Sequence, residues 1–148
     1  MFQTIVLALD GSEGADRAVP TAAELAERDG ARIIVAHAQT RSVETEINAH
    51  LARQIGDLQA RNIDTEVVIA RSVVEGREAD AIAQIAHDRD ADVIVIAGRG
   101  RSPFVGAILG SVTQRLLHVA DSPVLVVPPA ATALRDREPN QGPTETVR

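Results

Sequence analysis

Five short apolar runs divide the chain, with amphipathic stretches between them. The runs are TIVLAL at 4–9, RIIVAHA at 32–38, TEVVIA at 65–70, DVIVIA at 92–97 and PVLVV at 123–127. The first, second, fourth and fifth are nearly continuous and rich in β-branched residues, which predicts strands buried on both faces of a parallel sheet. The third follows an alternation through Ile63, Thr65, Val67 and Ile69, the pattern of an edge strand. The intervening stretches carry helical spacing. Ser12 with Glu13 opens the first, Ala15, Ala18, Val19, Ala22, Leu25 and Ala26 give it one apolar face, and Asp29-Gly30 ends it. Val43, Ile47, Leu51, Ile55 and Leu58 form a second face, and Ala79, Ile82, Ala83 and Ala86 a third. Ser111-x-x-Gln114 has the form of a capping box for a fourth helix, with Leu116, Leu117 and Ala120 turned inward. The predicted order is β-α-β-α-β-α-β-α-β. Strands alternating with helices imply right-handed crossovers, a parallel sheet and helices on both faces.

Length and composition narrow the class. The 148 residues fit one domain, and an apolar share of 45% suits a globular chain. The expected division is a domain at 1–128 and a flexible tail at 129–148. From Pro128 onward, PPAATALRDREPNQGPTETVR has four prolines and little apolar periodicity. A net charge of −6 argues against general affinity for nucleic acid. Phe2 and Phe104 are the sole aromatics, so bases have no stacking platform. With no Cys there is no disulfide and no thiolate chemistry. All 15 cationic side chains are Arg. That excludes a P-loop lysine, a lysine Schiff base and a Ser-x-x-Lys catalyst. No apolar run approaches a membrane span, and MFQTIVLALD lacks the form of a secretion signal, so the expected compartment is the cytoplasm.

In an open α/β sheet, ligands bind beyond the carboxyl ends of the strands, where the strand order reverses. Two such ends stand out. Asp10-Gly11-Ser12 follows the first run, and AGRGRSPFVGAILGS, residues 97–111, follows the fourth. The second is longer than an ordinary strand-to-helix connection. It holds four glycines and two arginines. Glycines let the backbone approach a ligand, successive N–H groups can form an anion nest, and a helix N-terminus favours phosphate. Gly98, Arg99, Gly100, Arg101, Gly110, Ser111 and Val112 are therefore candidates for a phosphorylated ligand. The plainer reading is a tight backbone path, a capping Ser111 and solvated arginines. Asp10 reads equally as an Asx-turn with Gly11 and Ser12. His37 reads as a packed or half-exposed ring near a strand end, and His50, His87 and His118 fit helix surfaces. No residue cluster suggests a metal cage.

IVLALDGSE at 5–13, VAHA at 35–38 and AGRGRSPFVGAILGSVTQRLLHVADSPVLVVP at 97–128 resemble the universal stress protein family. The most specific part is Gly100-x9-Gly110-Ser111, which is similar to the ATP-binding motif Gly-x2-Gly-x9-Gly-Ser/Thr. The chain departs at the motif's first position, where it has Ala97, and at Pro103, where many members have glycine. The resemblance implies a Rossmann-like, adenine nucleotide alpha hydrolase-like fold: an open five-stranded parallel sheet in the order 3-2-1-4-5. It implies that Asp10 lies against adenosine and that Ala38 meets adenine through its backbone. Gly100, Gly110, Ser111 and Val112 would hold ribose and phosphates. It also implies ATP as ligand, with Mg2+ or Mn2+ carried by the phosphates, and a homodimer formed through the strand at 123–127.

The expected function is thus a stress-response regulator that binds ATP between the first and fourth strands and uses it as a conformational or oligomerisation switch. Two alternatives stand beside it. One is a dimeric stress protein that acts by protein contacts without nucleotide, for which Ala97 and Pro103 speak. The other is a slow ATP hydrolase, for which Arg99 or Arg101 would supply charge and Asp10 would place water or metal.

Overall fold

The computed structural model of the chain describes residues 1–40, 49–98, 101–102, 106–107 and 110–128. Strand β1 (Thr4–Ala8) lies at the centre of a five-stranded parallel sheet. On one side it pairs with β2 (Arg32–Thr40), which pairs with β3 (Thr65–Val73). On the other it pairs with β4 (Val93–Ala97). Strands β5 (Arg101–Ser102) and β6 (Gly106–Ala107) form a separate antiparallel ribbon. Strand β7 (Val124–Val127) closes the main sheet beyond β4. Counting main-sheet strands alone, the order is 3-2-1-4-5.

Helices α1 (Ala18–Asp29), α2 (Ala49–Ala60), α3 (Glu78–Asp88) and α4 (Ser111–Val119) flank this sheet. Alternation along the strands makes two cores. Ile5, Leu7, Ile33, Val35, Val93 and Val95 point to the face covered by α1 and α2. Val6, Ala8, Ile34, Ala36, Ile94 and Ile96 point to the face covered by α3 and α4. Residues i and i+2 share a face, so a run apolar at every position serves both layers. β1, β2 and β4 are such strands.

The outer strands differ. β3 is an edge strand, as its alternation predicts, though its first six residues are uniformly half-buried and do not alternate between buried and exposed. β7 was expected to be buried on both faces. It is an edge, and Leu125 is 39% exposed. The first helix also starts later than expected. Glu13–Ala15 is a 3-10 turn, and α1 begins at Ala18. Ser12 does not cap it, because its hydroxyl donates to Asp10 Oδ1 at 2.6 Å. Gly30 ends α1 with φ +67, the left-handed geometry that favours glycine at a helix C-terminus. In α4, Leu116 is buried but Leu117 is 48% exposed, and Thr113 takes the inward place. Thr113 and Leu116 are three residues apart and share a face. Val43 and Ile47 of the second predicted face, and the expected tail at 129–148, lie outside the described residues. Among the described residues, no helix is long and apolar enough to cross a membrane.

Two side-chain contacts, one to backbone and one between side chains, tie the amino-end of the sheet and give it a pH dependence. Asp92 Oδ2 accepts from the backbone N–H groups of Thr4 at 2.9 Å and Gln3 at 2.8 Å. Those bonds, Thr4 first, hold the Asp92 carboxyl below its ordinary range. His87 Nδ1 donates to Asp121 Oδ2 at 2.8 Å, joining α3 to the turn before β7. That bond, and then the Asp121 charge, raise the His87 pKa. The lowered carboxyl stabilises the fold above its unfolded pKa and loses that contribution as pH falls through the folded value. The raised imidazole stabilises fully below about pH 6.5 and loses its contribution as pH rises through the folded value. Calorimetry at low salt is expected to show the melting temperature falling at both ends. Asp92→Asn should shrink the acid arm, to which the lowered carboxyls of Glu27, Asp29 and Asp80 also contribute. Asp121→Asn should flatten the arm that falls as pH rises above about 6.5. Because His87 and Asp121 are both exposed, the second effect should shrink in high salt.

Candidate functional site

The strand order reverses between β1 and β4. β1 is followed through helices to β2 on one side, and β4 leads through α4 to β7 on the other. Their carboxyl ends therefore open onto one crevice, where this class of sheet binds its ligands. A cavity of about 310 Å³ lies there, at the low end of the ordinary range for small-molecule sites. It spans the sheet edge. Asp10, Ser12, Gly14 and Ala15 line it from the loop after β1, and His37, Ala38, Gln39 and Thr40 from the end of β2. Ile96, Ala97 and Gly98 line it from β4, Glu78 and Ile82 from α3, and Gly110, Val112 and Thr113 from the start of α4.

Local geometry explains the loop after β1. Asp10 Oδ1 accepts from both Ser12 N at 2.9 Å and Ser12 Oγ at 2.6 Å, which is an Asx-turn. Gly11 inside it has φ +80 and is buried, so glycine is required there. Asp10 thus has the turn role and also faces the cavity. Behind the loop, Gln54 Nε2 donates to Asp16 Oδ1 at 2.8 Å and to the Ser12 carbonyl at 3.3 Å. His50 Nε2 lies 2.6 Å from the same Asp16 oxygen. The buried Gln54 Oε1 has no partner, the state that an ordered water commonly relieves. His37 Nδ1 donates to the Leu9 carbonyl at 2.7 Å. A carbonyl only accepts, so the proton is on Nδ1, and in the neutral ring Nε2 is left as an acceptor.

The other wall depends on α4. Its N-cap is Gly110, extended at φ −61 and ψ 158, and no side chain caps the helix. Ser111 is the first helical residue, exposed and outside the cavity wall. The expected capping box is therefore one residue out of register. Gly110 has no side chain with which to cap, and among the described residues no side chain takes up the first N–H groups of α4. Arg115 holds α4 against α3 through Asp80, with Nε–Oδ2 at 2.7 Å and Nη2–Oδ1 at 2.9 Å. This bidentate pair lowers the Asp80 pKa and raises that of Arg115.

Of the candidates read from sequence, Asp10, Ser12, Ala38, Ala97, Gly98, Gly110 and Val112 line the cavity. Gly11 is in the adjoining turn. Arg99 and Gly100 lie outside the described residues, and Arg101 is described only as backbone in the β5–β6 ribbon. That ribbon was not expected in a loop so rich in glycine. Gly98 donates its N–H to the Val127 carbonyl at 2.7 Å. A Cβ at Gly98 would stand 3.3 Å from Val126 Cγ1, so glycine there permits close approach to β7. Sequence reasoning missed Gly14, Gln39, Thr40, Glu78 and Thr113, and gave His37 only a packing role. Glu78 had a usable cue: it opens the helix after β3, at the carboxyl edge where ligands bind. Among the described residues, no group of three or more His, Asp or Glu is placed to hold a metal.

Fold and crevice define an open parallel α/β protein with a cavity at its topological switch point. The universal stress protein family profile matches residues 1–128, and the chain belongs to that family. It is similar to a universal stress protein of Thermus aquaticus, 35% identical over 86% of this chain and 99% of the relative. A universal stress protein solved in complex with cAMP is 28% identical, covers 87% of this chain and 98% of its own, and superposes with a TM-score of 0.66. The universal stress protein of Archaeoglobus fulgidus solved with dAMP is 27% identical, covers 84% of this chain and 96% of its own, with a TM-score of 0.63.

The departure at Ala97 can now be weighed. Ala97 ends β4 opposite Val127, and its φ is not positive. An alanine occupies this backbone without strain. Ala97→Gly is therefore expected to leave nucleotide affinity within about threefold, while lowering stability by about 0.5–1 kcal/mol through chain entropy. Calorimetric titration and denaturant unfolding read the two effects. A tenfold gain in affinity would instead mean that the methyl group crowds the ligand.

Proposed function

We propose that the protein binds an adenine nucleotide, ATP foremost, in the crevice between β1 and β4 and uses its occupancy as a switch in a stress response. One observation carries the reading. The side-chain-uncapped N-terminus of α4, at Gly110, faces the same cavity as the Asp10 turn. Free N–H groups and the helix dipole suit phosphate. A carboxylate suits ribose hydroxyls, which can donate to it. Gly98 and Gly110 allow a ligand to approach the backbone. The cAMP and dAMP complexes of relatives at 28% and 27% identity support an adenine nucleotide. Mg2+ or Mn2+ would arrive on the phosphates, since such ions need few protein ligands when a nucleotide supplies oxygens.

Occupancy shifts a conformational or assembly equilibrium only where the two states differ in affinity for the ligand. The assembly proposed is a homodimer through β7. Leu125 is exposed on that edge, with Leu117 and Val119 of α4 exposed as well. An unpaired edge with apolar side chains is a template for a second copy. The domain at 1–128, with 129–148 as its tail, and a cytoplasmic setting belong to the same proposal.

The first test is a search for bound nucleotide in freshly purified protein. With no Trp, Tyr or Cys, a 260 nm band is readily assigned, and mass spectrometry of the acid-released ligand names it. ATP or ADP is the expected result. A blank, followed by no heat when Mg-ATP is titrated in, would favour action by protein contacts alone. Asp10→Ala is expected to weaken Mg-ATP binding about tenfold, as for loss of a charged hydrogen-bond acceptor. Light scattering should give a dimer mass for the wild type. For Leu125→Arg it should approach that of one 15.7 kDa chain. An unchanged mass would remove β7 from the interface.

A further inference from the structure

We infer that Glu78 is a specificity-determining residue that reads the exocyclic amine of the bound purine. The inference rests on the nucleotide reading above and goes beyond it to which base is accepted. Glu78 opens α3 and lines the cavity one helical turn before Ile82, which lines it too. It makes no hydrogen bond or ion pair with any described residue, although Arg77 and Arg115 are both engaged close by with Asp80. A carboxylate left open to a cavity is an acceptor without a donor.

Its place in the fold settles which part of a nucleotide it meets. α3 packs over β2 and β3, whereas α4 packs against β7. Glu78 therefore stands on the β2 side of the crevice, and Gly110 on the β4 side. Among the described residues, the cavity wall holds two carboxylates, Asp10 and Glu78, and no arginine. Phosphates carry the same sign as Glu78 and are drawn to the α4 N-terminus instead. The base is left on the β2 side. There the other polar side chain singled out by geometry, His37, has its Nδ1 proton committed to Leu9 and offers only an Nε2 lone pair. Gln39 and Thr40 line the same end and can donate or accept, whereas Glu78 and His37 only accept. The preference for a ligand edge that donates is therefore carried by the Glu78 carboxylate. The 6-amino group of adenine donates two hydrogen bonds. A purine with hydrogen at C6 leaves the carboxylate unpaired, and a site built for a donor rejects the analogue that lacks one.

The test compares ATP with purine riboside triphosphate, the same molecule with hydrogen in place of the amine, by calorimetric titration with Mg2+ present. The wild type is expected to prefer ATP about tenfold. Glu78→Gln keeps a neutral acceptor, and its preference should shrink to a few-fold. Glu78→Ala should bind the two nearly equally, within about twofold. Comparing ratios within each variant cancels any general weakening of the site. Far-UV circular dichroism confirms that α3 is intact in both variants. A tenfold ATP preference that survives in Glu78→Ala overturns the role of Glu78 and leaves adenine nucleotide binding standing. Equal affinities in the wild type do the same. Absence of ATP binding in the wild type overturns both.

Discussion

The structure depends on β1 being paired on both edges by parallel strands that run to opposite ends of the sheet. Val6 stands opposite Ile34 of β2 and Ile94 of β4. Every crossover in such a sheet turns right-handed. Moving outward from β1 to β2 and β3, and then back past β1 to β4 and β7, places helices on opposite faces. It also separates the loops after β1 and β4. The gap between those loops is the cavity. No residue had to be chosen to make the opening. Residues were needed only to line it.

Burial enforces that pairing. Ile5, Val6 and Leu7 are completely buried, as are Ile33, Ile34, Val35, Ile94 and Val95. A slip of one residue in any of these strands would exchange its two faces. Because both faces are apolar, such a slip costs little in side-chain burial alone. Side-chain bonds at the strand ends supply the missing discrimination. Asp92 accepts from Gln3 and Thr4, and Asp29 Oδ2 accepts from the Phe2 N–H at 2.8 Å. The carboxylates pin the start of β1 in one register, and the Asx-turn at Asp10 pins its end. The position of Asp10 at the crevice follows from that register.

Elements with a strong period were legible in the sequence. The five runs became the five main-sheet strands, and the faces through Leu51, Ile55 and Leu58, and through Ala79, Ile82 and Ala86, became α2 and α3. Single-residue register was harder to read. Ser111 and Gly110 exchange capping roles because a serine before a helical pattern reads the same at the N-cap and at the next position. Leu117 and Thr113 exchange burial because an apolar residue can stand at the margin of a helical stripe. The strand order came from the family resemblance, since chain order alone does not place β1 beside β4. Asp10 was legible from strand-end rules and Gly110 from motif spacing as well, whereas Ala38 was legible only through the family resemblance. Glu78 was not, because its place in the wall depends on how α3 crosses the sheet. That crossing is a tertiary fact, and the sequence cue reached only as far as Glu78 opening the helix after β3.

Gly98 connects the cavity to the edge of the sheet. It lines the crevice, donates its N–H to the Val127 carbonyl, and sits where a Cβ would stand only 3.3 Å from Val126 Cγ1. β7 is therefore seated directly against a wall of the cavity. In the proposed binding mode, a phosphate at the α4 N-terminus would act on the helix that leads into β7, and a ligand against Gly98 on the strand that precedes α4. Both effects reach the strand that carries Leu125. Packed strands do not deform continuously, so a displacement at Gly98 shifts β7 as a unit or not at all. The glycine is then more than a concession to space. In the proposed switch it is the point at which ligand occupancy and edge pairing would become one equilibrium, with a sign that follows from which position of β7 the bound ligand prefers.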